Sequence, residues 1–194
     1  MKIIAHRINT ISLLKTVPEH YGIEIDVRTD GKKIILNHEP FSPGPELNSF
    51  LAMCKNRFII FNIKEAGIED EVIKLANVSR LEDFFLLDVE FPFLYRSSRT
   101  DKFRKIAARF SEAEPIEFVL EQYKYIDWVW IDTITKLPLT KEVYEKLAGL
   151  RLCLVSPDRW NRTSEIKEYK QYLIRTKINI NAVMVSLEHA KEWE

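Results

Sequence analysis

The sequence predicts a compact (β/α)8 barrel, an α/β fold of eight parallel strands, from three observations. Short apolar runs alternate with stretches of helical period along the whole chain. Counted through, they give eight strands, each followed by a helix, the alternation of a parallel sheet closed on itself. Polar and charged residues gather where the apolar runs end, the face on which such barrels carry their chemistry. At 194 residues the chain is shorter than the ~250 usual for this fold, so its loops are expected to be tight and residues 1–194 to form one domain. An open doubly wound sheet is the alternative. The glycine-rich phosphate turn that often marks it, GxGxxG, is absent from a chain with five glycines.

Residues 2–6 are short, apolar and rich in isoleucine, a strand. Residues 10–21 place Ile11, Leu13, Leu14 and Val17 at helical spacing, with Asn9 or Thr10 as N-cap and Gly22 as the stop. Residues 23–27 are the second strand. Thr29-Asp30-Gly31 is a turn signal, after which residues 33–37 return as a hairpin extension. Pro40, Pro43 and Pro45 hold off the next helix until residues 46–55. A strand at 58–63, a helix at 68–77 and a strand at 83–87 follow, then a helix at 92–102 and a strand at 105–110. Pro115, at a favourable helix start, opens 116–123. Residues 128–132 are a strand, 140–147 a helix closing at Gly149, 150–155 a strand, 165–176 a helix, 182–185 the eighth barrel strand, and 187–193 a closing helix.

The bulk composition excludes several classes. Hydrophobic residues make up 46%, enough for a sizeable core. Lys+Arg and Asp+Glu are both 29, so no global basic field points to nucleic acid or an anionic membrane as partner. No stretch approaches the ~20 apolar residues of a membrane span, and the chain opens on a strand without a leader pattern, so a cytoplasmic location is expected. Cys54 and Cys153 lie far apart in apolar settings and read as buried free thiols.

The strand tips carry His6-Arg7; Glu24 and Asp26; Asn62 and Lys64; Asp88 and Glu90; Arg109, Ser111 and Glu112; Asp132; Ser156 and Asp158; Ser186 and Glu188. His38 follows the hairpin strand, between Asn37 and Glu39. Two imidazoles can give and take a proton, and an arginine can neutralise a phosphate. Period 2 aims Glu24 and Asp26 to one side of their strand, as it does Asn62 and Lys64. Carboxylates so placed converge readily on a hard cation such as Mg2+ or Ca2+. Trp128 and Trp130 share one face of their strand, suited to packing a helix on the barrel, and Trp160 is the aromatic best placed to stack on a substrate headgroup.

The segments IIAHRINT, GIEIDVRTDGKKIILNHEP and FIIFNIK, spanning residues 3–64 and so a third of the chain, resemble the glycerophosphodiester phosphodiesterase family. That family has a barrel related to the phosphatidylinositol-specific phospholipases C. The resemblance rests on His6-Arg7, Asn9-Thr10, Glu24-x-Asp26, Thr29-Asp30-Gly31, His38 and Lys64. It implies His6 and His38 as the acid–base pair, Arg7 and Lys64 on the phosphoryl oxygens, and Glu24 and Asp26 as ligands of a Ca2+ or Mg2+. The family's third metal carboxylate is Asn62 here, a neutral oxygen donor, with Asp88 or Asp132 as carboxylates that could substitute. Glu39 replaces an aspartate after the loop histidine, Ile8 replaces a glycine after His-Arg, and residues 39–45 replace the insertion that shapes the glycerol pocket.

The expected activity is metal-dependent hydrolysis of a small phosphodiester such as a glycerophosphodiester. Two alternatives are a phospholipase-like lyase that releases a cyclic phosphate, and a phosphoester-binding barrel that has lost turnover. The oligomeric state is not fixed by the sequence.

Overall fold

The computed structural model describes residues 1–54 and 56–194; Lys55, the end of the expected 46–55 helix, lies outside them. In chain order the elements are β1 (Lys2–Ala5), α1 (Ile11–Thr16), β2 (Gly22–Thr29), β3 (Ile34–Leu36), α2 (Leu47–Leu51), β4 (Ile59–Ile63), α3 (Glu69–Val78), β5 (Phe84–Leu87), α4 (Phe91–Arg99), β6 (Ala107–Phe110), α5 (Ile116–Gln122), β7 (Trp128–Ile131), α6 (Lys141–Lys146), β8 (Arg151–Val155), α7 (Ile166–Thr176) and β9 (Ala182–Val185). Two 3-10 turns, Pro157–Trp160 and Thr163–Glu165, precede α7, and a third, Leu187–Trp193, ends the chain.

The strands run in the order β5-β4-β2-β1-β9-β8-β7-β6, with β3 pairing β2 outside that path. Apart from β3, which is antiparallel, the pairings are parallel. Ladders join the neighbours along this order. Between the two ends, β5 and β6, the described residues form a single bridge, Leu86 to Ile106. Leu86 N–H donates there to Lys105 O at 2.9 Å. The sheet is therefore a nearly closed (β/α)8 barrel with one weak seam.

Alternation along the strands sorts the apolar side chains into two layers. Ile3 and Ala5, Ile23 and Ile25, and Val183 and Val185 face the helices. Ile4, Phe58, Ile60, Phe85, Leu87, Ala107, Trp128, Trp130, Cys153, Val155, Ala182 and Met184 fill the barrel itself. Trp128 and Trp130 thus point inward and not toward the helices: period 2 shows that they share a face but not which one. The N-terminal end is plugged by Phe58, Phe85 and Trp128, whose ring centroids lie 4.8–5.8 Å apart. Rings of that size bury enough area to contribute about 4–6 kcal/mol each before entropy is charged. Lys2 and Arg151 cover this plug, over Phe58 and Trp128, and both reach Asp83.

The local departures have local causes. α1 stops at Thr16, well short of residue 21, because Pro18 disfavours a helical residue before it and Val17 is extended (φ −81°, ψ 125°). Thr10 is its N-cap, accepting from Leu13 N–H. β2 runs on to Thr29 because the hairpin strand β3 pairs with Val27–Thr29. β6 starts at Ala107, later than expected, at the weak seam. Gly44 lets the loop after β3 pack on the strand, since a Cβ there would lie 2.0 Å from Leu36 O. The closing helix is 3-10 in form. Both cysteines are free and buried. Among the described residues no helix is long and apolar enough to cross a membrane.

Candidate active site

β1 ends at Ala5, and His6 continues the inward parity of Ile4 at the open end of the barrel. Arg7 then takes a left-handed backbone (φ 53°), which costs a non-glycine residue about 1–2 kcal/mol. The turn brings Arg7 N–H onto Glu24 Oε2 at 2.8 Å. The left-handed residue of this turn is Arg7, and Ile8, which follows it, is buried in the core.

Glu24 and Asp26 are both buried, at 1% and 0% exposure. Asn9 clasps Asp26, donating from Nδ2 to Oδ2 at 2.7 Å and accepting Asp26 N–H at 2.8 Å. Asn62 stands beside Asp26 in the β2–β4 register, and its Nδ2 donates to Glu24 Oε1 at 2.8 Å. Two buried oxygens in this cluster, Asp26 Oδ1 and Asn62 Oδ1, accept no hydrogen bond. Lys64 Nζ lies 3.5 Å from Asp26 Oδ1 and 3.7 Å from Asp88 Oδ2. Arg7 Nε lies 3.9 Å from Asp26 Oδ2.

This crowding sets the protonation states. Burial, and then the neighbouring charge of Asp26, push the Glu24 carboxyl up to about 7. Burial, followed by the positive charge of Arg159, Arg7, Lys64 and His38, pushes His6 down to about 2. The 3.9 Å approach of His6 Nε2 to Glu24 Oε2 is accordingly a contact of a neutral imidazole and not an ion pair.

His38 sits on the loop after β3, its Nδ1 2.6 Å from Glu39 Oε1. A carboxylate only accepts, so Nδ1 carries the hydrogen and Nε2 is left for other chemistry. The same bond holds the Glu39 carboxyl below its ordinary range. Arg28 fixes this loop to its neighbour: Nε donates to His38 O at 3.1 Å and Nη1 to Lys64 O at 2.9 Å.

Two parts of the mouth are assembled by contacts between distant segments. Arg159, on the first 3-10 turn after β8, adds a cation near His6 and Arg7, with Nη1 donating to Ser186 Oγ at 2.8 Å. Burial lowers its own pKa, with Arg7 adding to the effect. Arg109 joins Asp88 (Nε–Oδ1 2.6 Å, Nη2–Oδ2 2.9 Å) to Asp132 (Nη1–Oδ2 2.8 Å). Those two aspartates are both engaged by Arg109. Trp160 lies at the mouth, half-exposed, with Nε1 donating to Asp132 Oδ1 at 3.1 Å. Among the described residues no group of three or more His, Cys, Asp and Glu side chains is arranged to hold a metal ion; Glu24 and Asp26 have an amide, Asn62, as their third member.

No family model matches the sequence, and no curated protein matches it. Solved structures share the fold. A glycerophosphodiester phosphodiesterase from Agrobacterium tumefaciens superposes with a TM-score of 0.66 at 12% identity, over 97% of this chain and 98% of that one. A phosphodiesterase from Oleispira antarctica, in complex with the product sn-glycerol-3-phosphate, gives 0.67 at 13% identity, over 100% and 95%. A glycerol uptake operon antiterminator-related protein from Thermotoga maritima gives 0.57 at 14% identity, over 98% of each chain. At these identities the likeness is one of fold, and function is argued from the site.

Proposed function

We propose that this chain is a phosphodiesterase that hydrolyses a small phosphodiester, such as a glycerophosphodiester, with the help of a divalent cation, Ca2+ or Mg2+. One observation carries the reading. A neutral, partly buried imidazole (His6), a carboxylate-backed imidazole (His38), the cations Arg7, Lys64 and Arg159, and the buried pair Glu24 and Asp26 share one barrel mouth. The activity of the two phosphodiesterases that share the fold is consistent with it.

The residues give each step a place. His6, neutral, accepts a proton from the attacking water as its oxygen bonds to phosphorus. His38, with Nδ1 held by Glu39, donates the Nε2 proton to the departing alkoxide as its P–O bond breaks. Arg7, Lys64 and Arg159 bind the phosphoryl oxygens. The same three cations hold the His6 pKa down, so a bound anion that offsets their charge raises its basicity. Glu24, Asp26 and Asn62 would hold the cation. The fit is supported by Asn62 Oδ1 and Asp26 Oδ1, buried oxygens that accept no hydrogen bond, the second with only the Lys64 ammonium 3.5 Å away among the described residues, and by a Glu24 charge that burial makes costly. Bound there, a divalent cation supplies charge stabilisation for the phosphoryl group.

Asn62 also favours a second reading, a phosphoester-binding barrel without turnover. Its Nδ2 donates to Glu24 in the place where a third carboxylate would add negative charge. Hydrolysis of an aryl phosphodiester in Mg2+, Ca2+, Mn2+ or chelator, alongside His6→Ala and His38→Ala, separates the two. Metal-stimulated activity that falls roughly 10²–10⁴-fold in each variant is expected. Metal-independent activity, or activity indifferent to both substitutions, rules out the proposed chemistry. Inertness with tight phosphate binding selects the second reading.

A further inference from the structure

Charged side chains of alternating sign form a row across the mouth, one from each of five successive strands, and the row crosses the weak seam. Asp26 lies in β2, Lys64 just past β4, Asp88 just past β5, Arg109 in β6 and Asp132 just past β7. Asp26 and Lys64 are 3.5 Å apart, Lys64 and Asp88 3.7 Å, Asp88 and Arg109 2.6 Å, and Arg109 and Asp132 2.8 Å. The row is tight around Arg109 and loose around Lys64.

The main chain of Lys64 is fixed. Its N–H donates to Val27 O at 3.0 Å, and its carbonyl accepts from Arg28 Nη1 at 2.9 Å. The ammonium group, by contrast, ends a flexible four-carbon stem and is held by charge. The two carboxylates beside it differ in depth. Asp26 is 0% exposed, and its Oδ1 accepts no hydrogen bond. An ammonium drawn fully onto that oxygen would spend its donors inside the barrel, away from a phosphoryl group. Asp88, 24% exposed, draws it back toward the rim. Both separations exceed the ~2.7–3.2 Å of a short N–H···O bond, so the ammonium keeps donors for another oxygen.

Asp88 is itself held in place. Its backbone is left-handed (φ 60°), a conformation that aspartate adopts more readily than most residues. Arg109 bonds both of its oxygens, Nε to Oδ1 at 2.6 Å and Nη2 to Oδ2 at 2.9 Å, which fixes the plane of the carboxylate. Oδ2 is also the oxygen nearest Lys64 Nζ.

We infer that Asp88 is a positioning residue of the phosphoryl site: it holds Lys64 outward from Asp26, so that the ammonium meets a phosphoryl oxygen, and Arg109 aims it. The part it plays in turnover rests on the phosphodiesterase reading; its effect on a bound phosphate does not. The sign of that effect is diagnostic. A carboxylate acting only through space repels an anion, so neutralising it tightens anion binding. Removing a carboxylate that positions a cation weakens it.

Inorganic phosphate is titrated in chelator into the wild-type protein, Asp88→Asn, Lys64→Ala and the double variant, with binding read by calorimetry. Asp88→Asn should weaken binding roughly five- to tenfold in the wild-type background, and by less than about twofold, or not at all, once Lys64 is alanine. The same cycle in kcat/KM for an aryl phosphodiester with Mg2+ should show the same coupling. Asparagine suits the left-handed backbone and can still accept from Arg109, and thermal melting checks that each protein is folded. If Asp88→Asn does not fold, Arg109→Lys takes its place; it keeps the Asp88 charge but loosens its aim, and a loss of roughly two- to fivefold in phosphate binding is expected. No phosphate binding by the wild type, binding unchanged or tightened by the substitution, or an equal loss with and without Lys64 overturns the inference. If phosphate binding shows the coupling and no phosphodiester is cleaved, the positioning role stands and the phosphodiesterase reading falls. If the aryl ester is cleaved and Asp88 and Lys64 act independently, the reverse holds.

Discussion

Replacing Arg109 by methionine tests how the barrel closes its weak seam. Arg109 rises from β6, and through it Asp88, just past β5, gains two hydrogen bonds and Asp132, past β7, gains one, at 2.6, 2.9 and 2.8 Å. It thus joins with a side chain the two strands that the backbone joins, among the described residues, by the one bridge between Leu86 and Ile106. Although burial opposes its charge, the bonds to Asp88 hold the guanidinium pKa above its ordinary value. Removing one partner of a fully buried pair costs about 3–5 kcal/mol, whereas exposed pairs contribute about 0–1. Arg109 is 34% exposed, Asp88 24% and Asp132 10%, so Arg109→Met should cost about 2–3 kcal/mol after discounting for solvent. In a chain of this size that is a fall of roughly 4–12 °C in Tm. Urea unfolding in chelator gives the free energy directly. Adding Asp132→Asn to Arg109→Met should recover part of the loss, because Arg109 is the cation paired with Asp132, whereas Asp88 keeps Lys64 at 3.7 Å. A loss below about 0.5 kcal/mol, or a double variant worse than the single, would refute the account of the seam.

The remaining predictions concern the site. Ca2+ or Mg2+ should raise Tm in the wild type and not in Asp26→Asn, and Asn62→Asp should tighten cation binding by restoring a third carboxylate; a melting curve indifferent to the ion in all three proteins contradicts the proposed ligand set. Arg159→Ala should raise KM for an aryl phosphodiester by roughly tenfold, the worth of one charged hydrogen bond, and an unchanged KM removes Arg159 from the phosphate site. In chelator, His6 and Glu24 should pull stability in opposite directions. His6, held near 2 in the fold against 6.5 ordinarily, refuses a proton that the unfolded chain accepts, so its contribution falls as pH drops below about 6.5. Glu24, raised from 4.5 to about 7, takes a proton that the unfolded chain does not, so its contribution grows as pH falls from about 7 to 4.5. The stability of His6→Gln relative to wild type should therefore improve by up to about 1.4 kcal/mol per pH unit below 6.5; a pH-independent difference would mean that His6 is not held neutral.

Much of this was legible in the residues. Strand runs such as Ile59–Ile63 announce themselves by their apolar character, and the period-2 rule correctly set Glu24 beside Asp26 and Asn62 beside Lys64. What stayed hidden depends on contacts between distant segments. Arg159 sits on a 3-10 turn that has no periodic signal, and it joins the site only because β8 lies two strands from β1 in the barrel. The Asp88–Arg109–Asp132 set is a cross-strand arrangement, so three separate tip residues gave no hint that the arginine would engage both aspartates. The inward face of Trp128 and Trp130 could have been read from their parity with Asp132, since a charged strand-tip residue belongs at the mouth. The end of α1 was likewise written in Pro18.

The central claim is that His6 and His38 cleave a phosphodiester at this mouth, and phosphorus NMR of a glycerophosphodiester incubated with the protein and Mg2+ or Ca2+ tests it most directly. The account predicts a phosphomonoester resonance with no accumulating cyclic ester, formed at least about 10²-fold more slowly by His6→Ala and by His38→Ala. A spectrum that does not change, a cyclic ester as the accumulating product, or monoester formed as fast by both variants would contradict it.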